Sequence, residues 1–404
     1  MKCILGIILI SAFFTLGTAF TVKEIGRRRS VPVVYLQGSH YEVGFDVGRN
    51  FGSLIKNFIA TFDDLRDFEK QYQTRKGREA YDMTLLNMKQ KYPHYVKEMQ
   101  GIADGANVSF HQLFLLHLDD IIETINDRSL ARNDTGGCTS LAIKTQDNGI
   151  LGHTEDALTP TLNHWYIMSA HIIPTPEDRE QGAVEERFAS LCYAGQFPGY
   201  TSGYNEHGLV FSINTLSPAV LKPGATPRTF ITRALLASKN YADAERILID
   251  EGLGAANGFS LNMIWSDIKG NRNIYNVEVS PNLSADRSAI NVHHYNKDVL
   301  MHCNRYLRLP VNESDGRMID SSTERMKTIK SYPTPQTKED IAKILSDTTN
   351  KRFPIFEQEP DSDVQTIAAS MFDLNEMTWS LYINKPSESE PVAILPLRFS
   401  MLKQ

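Results

Sequence analysis

The sequence predicts an α+β protein, because the spacing of its apolar residues changes at Cys138. Before Cys138, apolar side chains recur every three or four residues, as from Val43 to Phe62, and form the stripe of an amphipathic helix. After Cys138 the spacing is two, as in Thr139–Lys144, which indicates strands. Segments of helical spacing return between these strands. This mixture favours sheets that are covered by helices.

The order of the elements follows from the same spacing and from the turn residues. A strand at residues 31–37 ends at Gly38, and Pro93 separates two of the helices that follow it. These helices are predicted at residues 43–62, 81–91, 95–105 and 110–125. Later strands are predicted at 139–144, 150–153, 165–173, 209–214, 261–265, 273–279, 366–372 and 378–383, and helices at 227–238, 241–251, 321–330 and 338–346. Asp147-Asn148-Gly149 is typical of a hairpin turn.

Composition limits the class of protein. The chain has 404 residues, 41% of them hydrophobic and 22% charged, as in an ordinary globular protein with a sizeable core. The formal charge is −6, and the one basic run is Arg27-Arg28-Arg29. This distribution disfavours nucleic acid as a partner.

The first 19 residues have the pattern of a signal peptide, with Lys2, an apolar run and small residues before the predicted cut. The run is too short to span a membrane comfortably, and no later segment reaches its length. We therefore expect a secreted or lysosomal protein with no membrane span in its mature form. Four sequons agree with this address and are predicted glycosylation sites: Asn107, Asn133, Asn282 and Asn312.

Three cysteines remain once Cys3 leaves with the signal peptide. An odd number in an oxidising compartment requires at least one free thiol. If Cys138 is the free one, Cys192 and Cys303 are able to pair. The alternative is that all three are reduced and that two of them fill the core.

The segment Gly136-Gly137-Cys138 places a nucleophile between flexible backbone and a predicted strand. A thiol after glycine is able to attack the peptide bond before it, and cleavage between Gly137 and Cys138 would give Cys138 a free α-amine. An α-amine has an ordinary pKa of roughly 7.7 to 8 and would serve as the base for the adjacent thiol. The bland interpretation of the same residues is a turn that enters a strand.

Four motifs flank this cysteine in a fixed order. They lie at residues 41–48, 92–106, 148–156 and 203–209. Together they resemble the isopenicillin-N (acyl-CoA:6-aminopenicillanate) acyltransferase family of self-cleaving N-terminal-nucleophile hydrolases. The resemblance implies a four-layer αββα sandwich with a helical N-terminal segment. It also implies three parts, namely a signal peptide at 1–19, a mainly helical α-chain at 20–137 and a β-chain at 138–404, with the two chains remaining associated.

Three further residues are predicted to belong to the site. Asp156 ends the strand that the hairpin pairs with the cysteine strand, and the family has an aspartate in this neighbourhood; its alternative role is a turn cap. Glu155 is expected to point to the opposite face, into solvent. Asn214 and Asn304 resemble the asparagines that related cysteine hydrolases place near the nucleophile, where an amide donates to an oxyanion. Asparagines at strand ends are also plain turn residues.

The sequence departs from the family pattern in one respect. Fungal members have an arginine shortly before the closing hairpin that assists self-cleavage, and residues 353–359 contain none. Arg352 and Arg305 are the nearest substitutes, although neither aligns.

Histidines offer a rival mechanism. A triad of Cys138, His302 and Asp156 would also activate a thiol, whereas His153 and the pair at 293–294 are expected to be structural. No zinc-ligand spacing is present, so neither a metal nor a cofactor is expected.

The preferred function is that of a self-cleaving amidase that hydrolyses N-acyl amides of small amines through a Cys138 thioester. Animal members of the family act on β-alanyl amines, which makes N-β-alanyl-dopamine or β-alanyl-histamine the expected substrate. The alternatives are an acyl-CoA-dependent N-acyltransferase, which scarce extracellular CoA disfavours, and a non-catalytic secreted binding protein.

Overall fold

The computed structural model describes most of the chain after residue 25. The predicted signal peptide, the sequon at Asn133 and the turn residues Asp147 and Asn148 lie outside the described part. Within that part, no helix has both the length and the apolar character needed to cross a membrane. The described residues are 26–123, 137–144, 149–267, 269–296, 298–314 and 316–400.

Two sheets form the centre of the molecule. The larger has eight strands in the order β1-β4-β5-β6-β7-β8-β9-β10, and only its β1–β4 pair is parallel. Its strands are β1 (Val33–Gly38), β4 (Trp165–Ile172), β5 (Glu186–Tyr193), β6 (Ser202–Asn205), β7 (Leu209–Leu216), β8 (Gly258–Ser266), β9 (Arg272–Ser280) and β10 (Ala289–Tyr295).

The smaller sheet has six antiparallel strands in the order β11-β2-β3-β12-β13-β14. The strands are β2 (Thr139–Lys144), β3 (Gly149–Leu158), β11 (Leu300–His302), β12 (Val364–Asp373), β13 (Thr378–Tyr382) and β14 (Ala393–Pro396). β2 and β3 pair as the predicted hairpin, with Thr139 opposite Thr154 and Ser140 opposite His153.

Eleven α-helices lie in the described residues, and a short 3₁₀ turn at Thr159–Thr161 follows β3. They are α1 (His40–Thr61), α2 (Asp63–Tyr72), α3 (Arg75–Lys91), α4 (Pro93–Ala106), α5 (Phe110–Leu116), α6 (Asp119–Glu123), α7 (Pro176–Glu180), α8 (Arg228–Leu235), α9 (Tyr241–Ile249), α10 (Arg317–Ser331) and α11 (Lys338–Leu345). Ser39 caps α1 with a capping box that Glu42 completes.

Three apolar clusters separate four layers. Side chains of α1, α4, α5 and α8 pack on the outer face of the larger sheet. A second cluster lies between the two sheets and includes Leu151 and Trp379. α10 and α11 cover the outer face of the smaller sheet, where Leu141 and Ile143 meet Ile329 and Ile341. The predicted α+β class and the αββα order of layers are confirmed.

The predicted elements after Cys138 are present with shifts of a few residues, but five strands were missed, namely β5, β6, β10, β11 and β14. The two longest of these are β5 and β10. β5 is buried on almost its whole length, so its apolar residues do not alternate with polar ones. β10 is an edge strand that exposes His293 and His294, which interrupts any apolar pattern. Neither strand carries the spacing of two on which the prediction depended.

Four glycines bring α1 and α4 into close contact. A Cβ atom on Gly44 would lie 2.1 Å from the carbonyl oxygen of Glu98, and one on Gly101 would lie 2.2 Å from that of Tyr41. Gly48 and Gly105 are equally tight, with backbone oxygens at 2.3 and 2.0 Å. This packing explains the glycines of the first two flanking motifs.

Gly101→Ala is expected to lower the free energy of unfolding by about 1 to 3 kcal/mol, because the added methyl group must push two helix backbones apart. Gly52→Ala on α1 is the matched control, since its nearest atom would lie at an ordinary 3.4 Å. Alanine there should be neutral or slightly stabilising. Urea denaturation of both variants measures the difference, and equal midpoints would contradict the assignment.

Candidate active site

Cys138 lies directly before β2, and its side chain faces the space between the two sheets. The thiol borders a cavity of about 160 Å³ and is 6% exposed. Its Sγ atom lies 3.7 Å from Oε1 of Glu155 and 3.8 Å from the carbonyl oxygen of Asp156. Burial raises the pKa of the Cys138 thiol well above its ordinary value, and the two neighbouring carboxylates raise it further.

The carbonyl oxygen of Cys138 accepts two hydrogen bonds. Asn214 on β7 donates from Nδ2 at 2.7 Å, and Arg325 on α10 donates from Nη1 at 2.8 Å. Arg325 also donates to Oγ1 of Thr139 and to Oδ1 of Asn304, at 2.9 and 2.8 Å. Cys138 is therefore held by both sheets and by the outer helix layer.

The structure brings all four predicted site residues together, but it gives the two amides a different task in the intact chain. Nδ2 of Asn214 is used by the carbonyl of Cys138, and Nδ2 of Asn304 donates to the carbonyl of Thr215 at 3.0 Å. In the intact chain each amide uses one N–H group to position the backbone around Cys138, and each amide nitrogen carries a second N–H group.

Arg325 is the arginine that sequence reasoning missed. It is fully buried, whereas Arg305 and Arg352, the two named substitutes, are exposed and do not line the cavity with Cys138. The signal was hidden because Arg325 lies in α10, well before the segment that the family pattern pointed to. It lies on the face of α10 that also buries Ser321, Ser322 and Ile329, and this position was the available clue.

Glu155 corrects another expectation. It does lie on the opposite face of β3 from Asp156, as the alternation of a strand requires. That face is the interior between the sheets, so the side chain is buried at 4% exposure. Oε2 lies 2.9 Å from Nε2 of His153, and Tyr193 donates its hydroxyl to Oε1.

Asp156 is the second buried carboxylate beside Cys138. Its Oδ1 accepts from Oγ1 of Thr366 at 2.6 Å, and the amide of Gly137 hydrogen-bonds to the carboxyl group. Oδ2 has no hydrogen-bond partner among the described residues. Burial raises the pKa of Asp156 to about 7, although the charge of Arg325 lowers it.

The triad with His302 is wrong. His302 contacts the carboxylate of Glu278 through Nε2 at 3.2 Å and the carbonyl of Cys303 through Nδ1 at 2.6 Å. Neither contact involves Cys138 or Asp156. The proposed pair of Cys192 and Cys303 is also wrong, since both are free and lie in different apolar clusters on opposite sides of the sheets.

A chain of hydrogen bonds, which we call the amide relay, runs across the larger sheet to Asn214. Arg308 donates to Oδ1 of Asn276, whose Nδ2 donates to Oδ1 of Asn262 at 2.8 Å. Nδ2 of Asn262 then donates to Oδ1 of Asn214 at 2.6 Å. Arginine has only donors, so it fixes which way round each amide lies.

Ser140 extends this network to the hairpin. Its Oγ donates to Oδ1 of Asn214 at 2.8 Å and lies 2.8 Å from Nδ1 of His153 and 2.9 Å from Oγ of Ser212. Because Ser140 has one proton and gives it to Asn214, Nδ1 of His153 must be the donor toward Ser140.

The cavity combines an aromatic wall with charged groups. Phe58, Phe62 and Phe68 line it together with Asp119 and Arg228. Arg228 hydrogen-bonds to Asp119 at 2.8 Å, so this part of the wall is an ion pair. The chamber suits a small ligand with a ring and a polar end.

Cys138, His153 and Glu155 each offer one atom that a metal ion prefers, and these atoms lie within 4.8 Å of one another. No metal was expected from the sequence. Nε2 of His153 and Oε2 of Glu155 are already joined by a hydrogen bond of 2.9 Å. A metal ion bound by both atoms would have to replace the proton of this hydrogen bond.

Comparison with known proteins gives the family. A family model described as acyl-coenzyme A:6-aminopenicillanic acid acyl-transferase matches residues 143–388. The beta-alanyl-dopamine/carcinine hydrolase of Drosophila melanogaster is 45% identical over 388 residues, which cover 93% of this chain and 99% of the relative. The chain belongs to this acyltransferase family. The resemblance seen in the motifs is confirmed.

A second relative, from a fungus, is less similar to this chain. The acyl-coenzyme A:6-aminopenicillanic-acid-acyltransferase 40 kDa form of Emericella nidulans is 24% identical over 254 residues, 61% of this chain and 63% of the relative. Membership of the family and the named hydrolase confirm that the chain is an enzyme.

The raised pKa of Asp156 predicts a pH-dependent stability. The folded chain holds this proton until about pH 7, whereas the unfolded chain loses it near 3.8, so the free energy of unfolding falls between these values. In a Cys138→Ala background, Asp156→Asn should remove about 2 to 4 kcal/mol of this fall. Urea denaturation at pH 4 and pH 8 measures it. The same pH dependence with and without Asp156 would contradict the assignment.

Proposed function

We propose that the chain is a self-cleaving cysteine amidase, cut between Gly137 and Cys138, that hydrolyses N-acyl amides of small amines. The unpartnered Oδ2 atom of Asp156 carries the proposal. A buried carboxylate oxygen without a donor is costly, and the α-ammonium group of a cleaved Cys138 would supply both the donor and the charge. The chains 20–137 and 138–404 would stay together, since both contribute to the cluster under the larger sheet.

The mature enzyme would use the α-amine of Cys138 as its base. The amine takes the thiol proton while Sγ attacks the amide carbonyl of the substrate, and it returns the proton to the departing amine. Water then hydrolyses the thioester and restores the thiol. Asp156 orients the amine, and Arg325 with Asn214 holds the carbonyl of Cys138 in place.

The β-alanyl group is the proposed acyl group, because the Drosophila relative is named for β-alanyl-dopamine and carcinine. The cavity supports a cationic acyl group, since Glu155, Asp156 and Asp119 line it against the single cation of Arg228 among the described lining residues. The phenylalanines at positions 58, 62 and 68 suit the ring of dopamine or histamine.

The remaining alternatives have less support. An acyl-CoA-dependent acyltransferase would use the same thioester and needs CoA, which is scarce on the proposed secretory route. A binding protein without catalysis would have no use for a thiol, a carboxylate and a buried arginine brought together around one peptide bond. We also propose that the protein is secreted or lysosomal and glycosylated; Asn107 and Asn312 are exposed, and Asn282 is half-buried.

Self-cleavage predicts two bands on a denaturing gel of the wild-type protein, one of which begins at Cys138. Cys138→Ala should stay a single chain, because the nucleophile is gone. Cys192→Ala removes another buried free thiol, which lies in the cluster on the outer face of the larger sheet and does not line the cavity, and this variant should be cut as the wild type is. N-terminal sequencing decides the matter, and an intact wild-type chain would show that the mechanism is wrong.

The processed enzyme is expected to release β-alanine from N-β-alanyl-dopamine or β-alanyl-histamine faster than it joins an acyl group from acyl-CoA to an amine. N-butyryl-dopamine, with a methyl group in place of the ammonium, is the matched control substrate. Its kcat/KM should be at least about tenfold lower, the contribution of one charged hydrogen bond. Faster CoA-dependent amide synthesis would favour the acyltransferase alternative. Hydrolysis of long-chain amides alone would contradict the proposal that the acyl group is β-alanyl.

A further inference from the structure

Self-cleavage needs a base for the thiol proton of Cys138, and the mature mechanism does not supply one. In the intact chain the nitrogen of Cys138 is part of a peptide bond and has no basic lone pair, so it cannot take the thiol proton. Burial and the nearby carboxylates also disfavour a free thiolate. Another acceptor must therefore exist for the first reaction.

Among the described residues, Sγ of Cys138 donates hydrogen bonds to two oxygen atoms. One is the carbonyl oxygen of Asp156 at 3.8 Å, which is not a base. The other is Oε1 of Glu155 at 3.7 Å, to which the thiol donates. Tyr193 donates to the same carboxylate oxygen and holds it beside the thiol.

The amide relay determines which nitrogen of His153 donates a hydrogen bond, and His153 is the residue that contacts Oε2 of Glu155. The relay makes Oδ1 of Asn214 an acceptor, Ser140 donates to it, and Nδ1 of His153 must then donate to Ser140. His153 therefore meets Glu155 with Nε2, across 2.9 Å, and one proton lies between them. The pair is either an imidazolium with a carboxylate or an imidazole with a carboxylic acid.

Glu155 therefore faces the thiol with Oε1, while its other oxygen, Oε2, is hydrogen-bonded to Nε2 of His153. A thiolate formed here would face an imidazolium across one carboxyl group, so no isolated charge is created in the interior. The same carboxyl group lies beside the residue whose nitrogen must leave the peptide bond, and a leaving nitrogen needs a proton.

We propose that Glu155, supported by His153, is the catalytic proton carrier of self-cleavage, a step that rests on the function proposed above. Glu155 takes the proton of Sγ as Sγ bonds to the carbonyl carbon of Gly137. It then gives that proton to the nitrogen of Cys138 as the peptide bond breaks, which leaves a thioester and a free amine. Water hydrolyses the thioester to the carboxylate of Gly137 and the thiol. From then on the α-amine is the base, and Glu155 is no longer needed for that task.

The rate of self-cleavage tests the proposal. Precursor is pulse-labelled in cell-free translation, and the appearance of the chain that starts at Cys138 is followed with time. Glu155→Gln keeps the volume but cannot take a proton, and its rate constant should fall by about 100-fold or more. Tyr193→Phe is the control, because it removes a donor to the same oxygen but leaves the acceptor; its rate should fall by less than about tenfold.

The turnover of each processed variant distinguishes a role of Glu155 in self-cleavage from a role in the hydrolysis of substrate. Once processed Glu155→Gln has accumulated, its kcat per free Cys138 amine should fall at least about tenfold less than its rate of self-cleavage, because Glu155 lines the substrate cavity but is not the base of turnover. Wild-type self-cleavage in Glu155→Gln would overturn the assignment, and so would an equal loss in maturation and turnover. If the wild type itself is not cut, the proposed function fails instead.

Chemical rescue covers the case in which Glu155→Gln does not fold. Glu155→Ala leaves room for a small carboxylate, and added sodium formate should restore self-cleavage in proportion to its concentration, whereas sodium chloride at equal ionic strength should not. A purely structural side chain would not be replaced in this way. Absence of rescue by formate would overturn the proposal.

Discussion

The carbonyl oxygen of Cys138 is the point on which the rest of the structure depends. It lies at the entrance to β2 of the smaller sheet, accepts a hydrogen bond from Asn214 of the larger sheet, and accepts another from Arg325 of the outer helix layer. Three of the four layers therefore meet at one atom. Burying the guanidinium of Arg325 would cost several kcal/mol without partners, so its hydrogen bonds to Cys138, Thr139 and Asn304 also fix the position of α10.

The space between the sheets is only partly apolar. One part is a cluster that includes Leu151 and Trp379, as sheet packing requires. The other part is the polar network of Ser140, His153 and the amide relay. Removing any one member would leave a buried polar group without a partner, which costs about 1 to 3 kcal/mol. A network of this kind permits few geometries, and it restricts the separation of Cys138 and Glu155.

The hairpin of β2 and β3 was the part of the site that could be predicted. The spacing of two and the turn between the strands place Cys138 and Asp156, which are eighteen residues apart, at the same end of the sheet. Arg325 could not be placed in this way, because a residue on a helix approaches a strand through tertiary packing. The burial of Glu155 was missed for a related reason. Strand alternation predicts on which face of β3 the side chain lies, but only the packing of the larger sheet against that face excludes water from it.

The sequence by itself determined the α+β class, the strand that follows Cys138 and membership of the family, since these depend on local spacing and on ordered motifs. The tertiary structure decided which polar groups surround the thiol. Asn262 and Asn276 look like ordinary polar positions of strands, and only the pairing of three strands lines up their amides. Hydrogen bonds between side chains far apart in the chain depend on distances of a few tenths of an ångström, and sequence spacing carries no such information.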